Sequence, residues 1–349
     1  LKFTRPYKKS GKTVLEHYQW NFDRIKVKEA WAALGSKGDS GVTVAVIDTG
    51  VAFKDYTDPG TGTIYKQSPE LVGVSFVSPR KYSSDGCEAG FSTDGPLVDN
   101  EHALDDGGHG THVASTIVQA TNNNQHAAGI APGVKLMPIN VFTKCPENDD
   151  AYTNTYDLIL GINHAVSNGA DVINMSLGIN TTALSQLQTL REAIQSATNQ
   201  GVVVVAAAGN SVTSTSSPPI AVPAAFPETI AVGATRHDNA RAHYSQHQLN
   251  NGKGIDVMAP GGEIVDKEGY VNDQNDDYLF DGIVQQTIMP GDPEHFTQIT
   301  ALQPSIHDYF CIEIDGTGAT GYFSECGLYQ GTSMAAPHVS AVVALMLSA

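Results

Sequence analysis

Residues 202–208 read Val-Val-Val-Val-Ala-Ala-Ala and run into Gly209-Asn210. No polar residue interrupts the run, so it offers no face to water. It is far too short to cross a bilayer, which takes about 20 apolar residues. A short apolar run rich in β-branched residues is the mark of a strand covered on both faces of a parallel sheet. Similar runs recur at 42–47, closed by Asp48-Thr49-Gly50, and at 136–141 and 172–175, with shorter candidates at 230–232 and 255–258. Pro138 weakens the run at 136–141, because proline withholds a ladder donor. Between the runs lie segments with helical spacing, at 110–119, 156–167, 184–198 and 332–347. In the third, Leu184, Leu187, Leu190, Ala193, Ile194 and Ala197 fall on one stripe, with Thr181 and Thr182 as candidate N-caps. Asn180-Thr181-Thr182 is also a glycosylation sequon, which capping explains without sugar. Strands alternating with helices predict α/β layers joined by right-handed crossovers.

Two stretches break the rhythm. Residues 78–106 are polar and rich in Gly and Asp. Residues 261–330 are longer and acidic, too long for a bare loop within a compact domain. Segments 278–283, 296–299 and 309–314 are its candidate strands, making a small β-rich insertion. A length of 349 residues suits one large domain, 1–349, with the insertion at 261–330 just before the last helix. Lys and Arg number 20 against 37 Asp and Glu, a net charge of −17. That argues against a nucleic-acid partner, which needs clustered cations. The basic cluster Lys2, Arg5, Lys8, Lys9 and Lys12 reads as a solvated arm. No apolar run is long enough for a membrane span. The chain opens at Leu1 without a basic-then-apolar leader, as a processed product does. Cys87, Cys145, Cys311 and Cys326 contain no C-x-x-C pair. Proximity favours a Cys311–Cys326 disulfide, leaving Cys87–Cys145; the alternative is four free thiols. Two disulfides imply a secreted, extracellular setting.

Three distant segments each carry one member of a nucleophilic constellation. Asp48 closes the apolar run at 42–47, at the carboxyl end of a strand, where open α/β sheets build their sites. His109 follows Gly107-Gly108 into a helix (Gly-His-Gly-Thr-His-Val), and a neutral imidazole is a suitable base near pH 7. Ser333 lies in Gly331-Thr332-Ser333-Met334-Ala335-Ala336-Pro337-His338, at a helix N-terminus whose amides can hold a developing oxyanion. Singly, each has a bland reading: a turn Asp, a capping His, an N-cap Ser. His102, His109 and His112 could also be imagined around zinc, but no H-E-x-x-H accompanies them.

Together, in the order Asp…His…Ser, these motifs resemble the three signatures of the subtilases, the subtilisin-like serine proteases. The resemblance covers about residues 19–260 and 331–349. It implies a three-layer subtilisin-like α/β fold, with a mostly parallel central sheet flanked by helices. It also implies a secreted serine endopeptidase working through an acyl-enzyme. In that reading Ser333 attacks the carbonyl, His109 carries the proton and Asp48 orients His109. Asn210, after Ala206-Ala207-Ala208-Gly209, would donate to the oxyanion with the Ser333 amide. Ser176-Leu177-Gly178 would align an extended substrate as an added strand. Ala207, Ala208 and Gly209 would form the facing wall of a pocket for an apolar or aromatic side chain before the cut. The acidic loop 145–150 falls where residues further upstream would bind.

The resemblance further implies a structural calcium ion. Its ligands would be the carbonyls of Thr121, Gln125 and Ala127, the side chains of Asn123 and Gln19, and Asp58, with Asp55 as a rival. It implies protein or peptide substrates, an inhibitory propeptide before maturation, and a monomer. The chain ends 16 residues after Ser333, where subtilases continue through a further covering helix. A missing C-terminal segment is therefore expected, with Val342, Val343, Leu345 and Met346 less protected. The remaining alternative is a non-catalytic binding module on a protease-like scaffold.

Overall fold

The apolar runs join one sheet in the protein's structure, a computed structural model that describes residues 4–9, 12–17, 19–57, 64–65, 67–82, 103–105, 107–123, 127–144, 151–213, 215–263, 282–289 and 322–349. Along these residues the chain forms β1 (Thr4–Lys9), β2 (Lys12–His17), α1 (Trp20–Arg24), α2 (Val27–Leu34), β3 (Thr43–Asp48), β4 (Tyr56–Thr57), β5 (Ile64–Tyr65), β6 (Arg80–Lys81) and α3 (His109–Val118). It continues through β7 (Lys135–Asn140), β8 (Thr143–Lys144), β9 (Ala151–Tyr152), α4 (Thr155–Ser167), β10 (Val172–Met175), α5 (Gln188–Asn199) and β11 (Val203–Ala207). Last come β12 (Ile230–Thr235), β13 (Val257–Pro260), β14 (Ile283–Met289), β15 (Tyr322–Tyr329) and α6 (Thr332–Leu347). Seven strands lie parallel in the order β13-β12-β11-β10-β3-β7-β6. The order reverses beside β3, so the carboxyl ends of β3, β10 and β11 open onto one crevice.

Strand alternation divides the core in two. Val44, Val46, Val172 and Val205 pack with Val113 and Ile117 of α3 and with Met334, Ala341 and Leu345 of α6. Ala45, Ile47, Ile173 and Val204 pack with Leu158 and Ile162 of α4 and Leu190 and Ile194 of α5. Helices thus cover both faces, which is why the strands carry no polar side. Pro138 is tolerated inside β7 for a directional reason. Lys135 and Val141 donate to Val42 and Asp48 on the β3 side, whereas Leu136 donates to Ser75 on the other. Pro138 shares the parity of Leu136, so its missing N–H faces away from β3.

Two expectations need correcting, the start of one helix and its cap. The helix expected from residue 184 opens as a 3-10 turn, Leu184–Leu187, and becomes α-helical at Gln188. Thr181 Oγ1 accepts from the Ala183 amide at 3.0 Å, ahead of that turn; it caps neither the turn, whose N-cap is Ala183, nor α5, whose N-cap is Leu187. The basic arm contains the antiparallel pair β1 and β2. Of the three segments expected as insertion strands, only residues 282 and 283 of the first are described, Ile283 opening β14, and the other two lie outside the described residues. β14 and β15 form an antiparallel hairpin seated on α3. Trp20 Nε1 donates to the Gly282 carbonyl at 3.1 Å, His112 Nε2 donates to the Ile283 carbonyl at 3.1 Å, and the His112 ring stacks on Tyr329 at 4.4 Å.

On the outer side of α6, Val342, Met346 and Leu347 are exposed, as are Val257 and Met258 of the edge strand β13. Leu345, expected among the less protected residues, is buried. This apolar face borders an open groove of 760 Å³ that also takes in Ile230 and Val339, not Asp48, His109 or Ser333.

Helix α4 fits closely against the sheet at Gly161. A Cβ there would sit 3.0 Å from Val141 Cγ1 and 3.3 Å from Ile139 Cγ2. Gly161→Leu is therefore expected to destabilise the fold by about 1–3 kcal/mol through overpacking, read from denaturant unfolding.

Candidate active site

Asp48 ends β3 and is almost fully buried, at 1% exposure. Its Oδ1 accepts from the Thr49 amide at 2.7 Å and from His109 Nδ1 at 2.7 Å. The two residues meet because α3 begins hard against the β3 exit. A Cβ on Gly110 would fall 2.1 Å from the Gly50 carbonyl, so only glycine permits the approach. A second buried carboxylate, Asp105, binds this corner together. Its Oδ1 accepts from Thr49 Oγ1, Gly107 N and Gly108 N at 2.8–2.9 Å, and its Oδ2 accepts from Thr111 N and Thr111 Oγ1 at 2.8 and 2.6 Å. Thr49 Oγ1 in turn accepts from the Gly110 amide at 2.9 Å. Sequence reasoning passed over Asp105 as one of many loop aspartates. A carboxylate four residues before His109, preceding a helix with no capping side chain, was the available signal.

These carboxylates set the imidazole's basicity. Burial disfavours the imidazolium, but the Asp48 charge and hydrogen bond, with the Asp105 charge behind them, outweigh it and raise the His109 pKa. About a third of the His109 side chain stays exposed, leaving its Nε2 edge available to a reacting group.

Ser333 is half-buried in the first turn of α6. Pro337, four residues on, has no N–H to give the Ser333 carbonyl. Ser176 Oγ fills that role at 2.7 Å, while Ser333 Oγ donates back to the Ser176 carbonyl at 3.0 Å. Ser176 Oγ also accepts from Asn174 Nδ2, and Asn174 Oδ1 accepts from Ser340 of α6. The nucleophile candidate thus rests on Ser176, not on His109.

Asn210 follows β11, and its Oδ1 accepts from both the amide and the hydroxyl of Thr332 at 2.9 Å. That leaves its Nδ2, like the Ser333 amide, without an acceptor among the described residues. Both donors border one space, because a Cβ built on Gly331 would lie 3.3 Å from Asn210 Nδ2 and 3.6 Å from Ser333 N. Gly331 holds φ at +151°, ψ at 160°, a conformation only glycine adopts readily. His338, the last residue of that motif, is structural. Its Nδ1 donates to the Met334 carbonyl, its Nε2 accepts from Asn21, and burial pushes its pKa down to about 4.

Ser176, Leu177 and Gly178 leave β10 opposite Ala207, Ala208 and Gly209, which close β11. A third segment, not anticipated, adjoins both: the Ala221 amide donates to the Ala208 carbonyl at 2.8 Å, and a Cβ on Gly178 would meet Ala221 Cβ at 2.9 Å. Small residues on every side let the three segments pack closely.

The residues expected around a cation are brought together only in part. Asp58 and Gln125 lie outside the described residues. The Gln19 amide is engaged at both ends by the Ala128 backbone at 2.9 Å, so its oxygen has one lone pair to spare. The Ala127 carbonyl accepts from Gln119, as does Asp55 Oδ1 from the Gln67 amide. Asn123 Nδ2 donates to Glu70 Oε2 at 2.9 Å. Glu70, in the turn Pro69–Leu71, is 2% exposed and was missed by sequence reasoning. Thr121 follows Gln119 in the same corner, its Oγ1 donating to the Gln119 carbonyl. A buried carboxylate beside carbonyls and amides is a donor set suited to a hard cation. No group of three His, Cys, Asp or Glu side chains stands ready for a metal among the described residues, and His112 faces the β14–β15 hairpin. Cys87, Cys145 and Cys311 lie outside the described residues, and the side chain of Cys326 does too.

A parallel α/β sheet with an Asp–His pair at its carboxyl edge and a serine at a facing helix N-terminus defines a class of serine-nucleophile hydrolase scaffold. The model of the subtilase family matches residues 39–349. Subtilisin E of Bacillus subtilis (strain 168) is 34% identical over 319 residues, covering 90% of this chain and 58% of that protein. The extracellular protease of Xanthomonas campestris pv. campestris is 32% identical over 348 residues, covering 95% of this chain and 48% of that protein. The chain therefore spans about half the length of these relatives. Among solved structures, proteases from Pseudoalteromonas arctica PAMC 21717 superpose with a TM-score of 0.63 at 27% identity, over 94% of this chain and 84% of that one. The chain belongs to the subtilase family.

The electrostatics fix two outcomes. With its pKa raised, His109 protonates above the ordinary imidazole value of about 6.5, so any His109-dependent rate falls through a midpoint above that pH. Its stabilising contribution runs the other way: complete below the unfolded-state pKa, lost as pH rises through the folded one. Asp105→Asn removes one charge that raises the pKa and one acceptor for the Thr111 donors. Its acid midpoint should move down, with about 1–3 kcal/mol lost from unfolding stability, measured by a pH–rate profile and denaturant titration.

Proposed function

We propose that this chain is a serine endopeptidase that cuts proteins or peptides through an acyl-enzyme. The observation that carries the reading is the 2.7 Å Asp48–His109 bond at the edge of a crevice that also holds Ser333, Asn210 Nδ2 and the Ser333 amide. Ser333 Oγ turns from Ser176 toward His109 and attacks the scissile carbonyl, its proton passing to His109 Nε2. Asp48 holds the imidazole by Nδ1 and stabilises its cation. The carbonyl oxygen, now negative, takes hydrogen bonds from Asn210 Nδ2 and the Ser333 amide. The C–N bond breaks as His109 returns the proton to the leaving amine. Water, deprotonated by His109, then cleaves the ester and restores Ser333.

The substrate backbone pairs with Ser176, Leu177 and Gly178. Its side chain before the cut enters between them and Ala207, Ala208 and Gly209, where small walls favour apolar or aromatic groups. The finer reading includes secretion, an inhibitory propeptide, a monomeric state and disulfides Cys311–Cys326 and Cys87–Cys145. It also includes a structural calcium ion, which Gln19, Asp58, Asn123 and the carbonyls of Thr121, Gln125 and Ala127 would hold, with the buried carboxylate of Glu70 beside Asn123 as a further ligand. That ion supplies rigidity to the loop after α3, and no proton or electron pair. The resting bond of Ser333 to Ser176 is the one observation that favours a non-catalytic module instead.

A fluorophosphonate reagent decides between them. The peptidase reading expects a single adduct mapped to Ser333 in the folded protein and none in His109→Ala. An intact, calcium-loaded protein that takes no adduct would sink it. In the active enzyme, Asn210→Ala should lower kcat by about 10²–10³ with KM little changed, read from initial rates on a peptide amide.

A further inference from the structure

We propose that Gln246 is a positioning residue for the oxyanion donor Asn210, acting by clamping the chain on both sides of it. The inference rests on the peptidase reading. Gln246 is fully buried, at 0% exposure, although it lies outside every motif singled out in the sequence. Its backbone amide donates to the Gly209 carbonyl at 2.9 Å, and its Oε1 accepts from the Ser211 amide at 3.1 Å. The residues immediately before and after Asn210 are therefore both tied to one side chain and its own backbone. Its Nε2 donates to Asn180 Oδ1 at 3.1 Å and to the Pro219 carbonyl. That anchors the clamp to the segment leaving β10 and to the third segment of the cleft. Asn180, in turn, donates its Nδ2 to Ser211 Oγ at 2.8 Å, so the amide of the sequon is spent on the same network.

Two features show that the site is built around this amide. Gly209 holds φ at +104°, and a Cβ there would fall 2.1 Å from Gln246 Oε1; glycine makes room for the side chain. From the opposite side, Thr332 Oγ1 accepts from the Gly209 amide and donates to Asn210 Oδ1. Asn210 thus has its side chain fixed by Thr332 and its backbone fixed by Gln246. An oxyanion donor works only when aimed before charge develops. Small misplacements of a reacting constellation cost large factors in rate. Gln246 touches no reacting atom; its effect passes through Asn210.

The test is a double-mutant cycle on a peptide amide with an aromatic residue before the cut. Rates are normalised to Ser333 sites counted by fluorophosphonate titration. Gln246→Ala is expected to lower kcat by about 10–100-fold, with KM changed less than about 3-fold. In the Asn210→Ala background the same change should cost less than about 3-fold, because the donor it aims is already gone. Gln246→Glu keeps the Ser211 acceptor and loses the donors to Asn180 and Pro219. It should give an intermediate kcat, and it carries the test if Gln246→Ala does not fold. Equal losses in both backgrounds, or an unchanged kcat in Gln246→Ala and Gln246→Glu, would overturn the proposal while leaving the peptidase reading intact. Failure of the wild-type protein to label at Ser333 would overturn both.

Discussion

The 2.7 Å contact between Asp48 and His109 depends on a carboxylate that touches neither ring nor nucleophile. The N-terminus of α3 is a positive helix end and by itself would disfavour a cation on His109. Asp105 sits in that end, accepts from its first-turn amides and brings a compensating negative charge. It also grips Thr49, the residue after Asp48, so one side chain fixes the relative position of the strand exit and the helix start. Burying two carboxylates so near each other is costly unless each is fully engaged. Asp105 meets the condition with donors from four residues, whereas Asp48 is engaged through Oδ1 alone, by Thr49 and the imidazole, and its buried Oδ2 has no partner among the described residues. The corner holds together because charge, capping and close glycine contact all require the same geometry.

The other half of the site follows from a proline inside a helix. Pro337 leaves the Ser333 carbonyl without its helical donor, and Ser176 supplies one from the neighbouring strand exit. Ser333 and Ser176 thereby exchange hydrogen bonds, hydroxyl to carbonyl in each direction. The turn that carries the nucleophile candidate is registered against the segment that would carry substrate. Asn174 and Ser340 extend the link into the buried body of α6. A polar seam therefore runs where the rest of that helix packs against valine and alanine.

Much of the scaffold was legible in the sequence because it is covered on both faces. The runs at 42–47, 172–175 and 202–208 could be read as strands without tertiary information, since Thr43 and Asn174 are the only polar residues in them. β12 extends past its apolar segment through Gly233, where a side chain would strike Met258; that requirement belongs to the partner strand and leaves no local mark. β14 carries Gln285-Gln286-Thr287 at its centre, and Gln285 is buried against the Ala128 carbonyl, so its polarity disguised it. In the site, Asp48, His109, Ser333 and Asn210 stood out because their motifs surround them with glycine and small residues. Asp105, Glu70 and Gln246 did not. An acid or amide that satisfies buried backbone donors looks, in sequence, like any polar loop residue, and only the fold tells which loops have been buried.

The position of α6 in the chain order has a consequence for biogenesis. Every strand of the parallel sheet, and the helix bearing His109, precedes it in synthesis. Yet α6 packs beside α3 on the same face of the sheet and supplies both Ser333 and the hydroxyl that fixes Asn210. A nascent chain can build most of the sheet while holding only an Asp–His pair, with no nucleophile and an unaimed amide beside it. On the peptidase reading, chemical competence is thus deferred until α6 has followed the sheet, and chains that stop before it are inert.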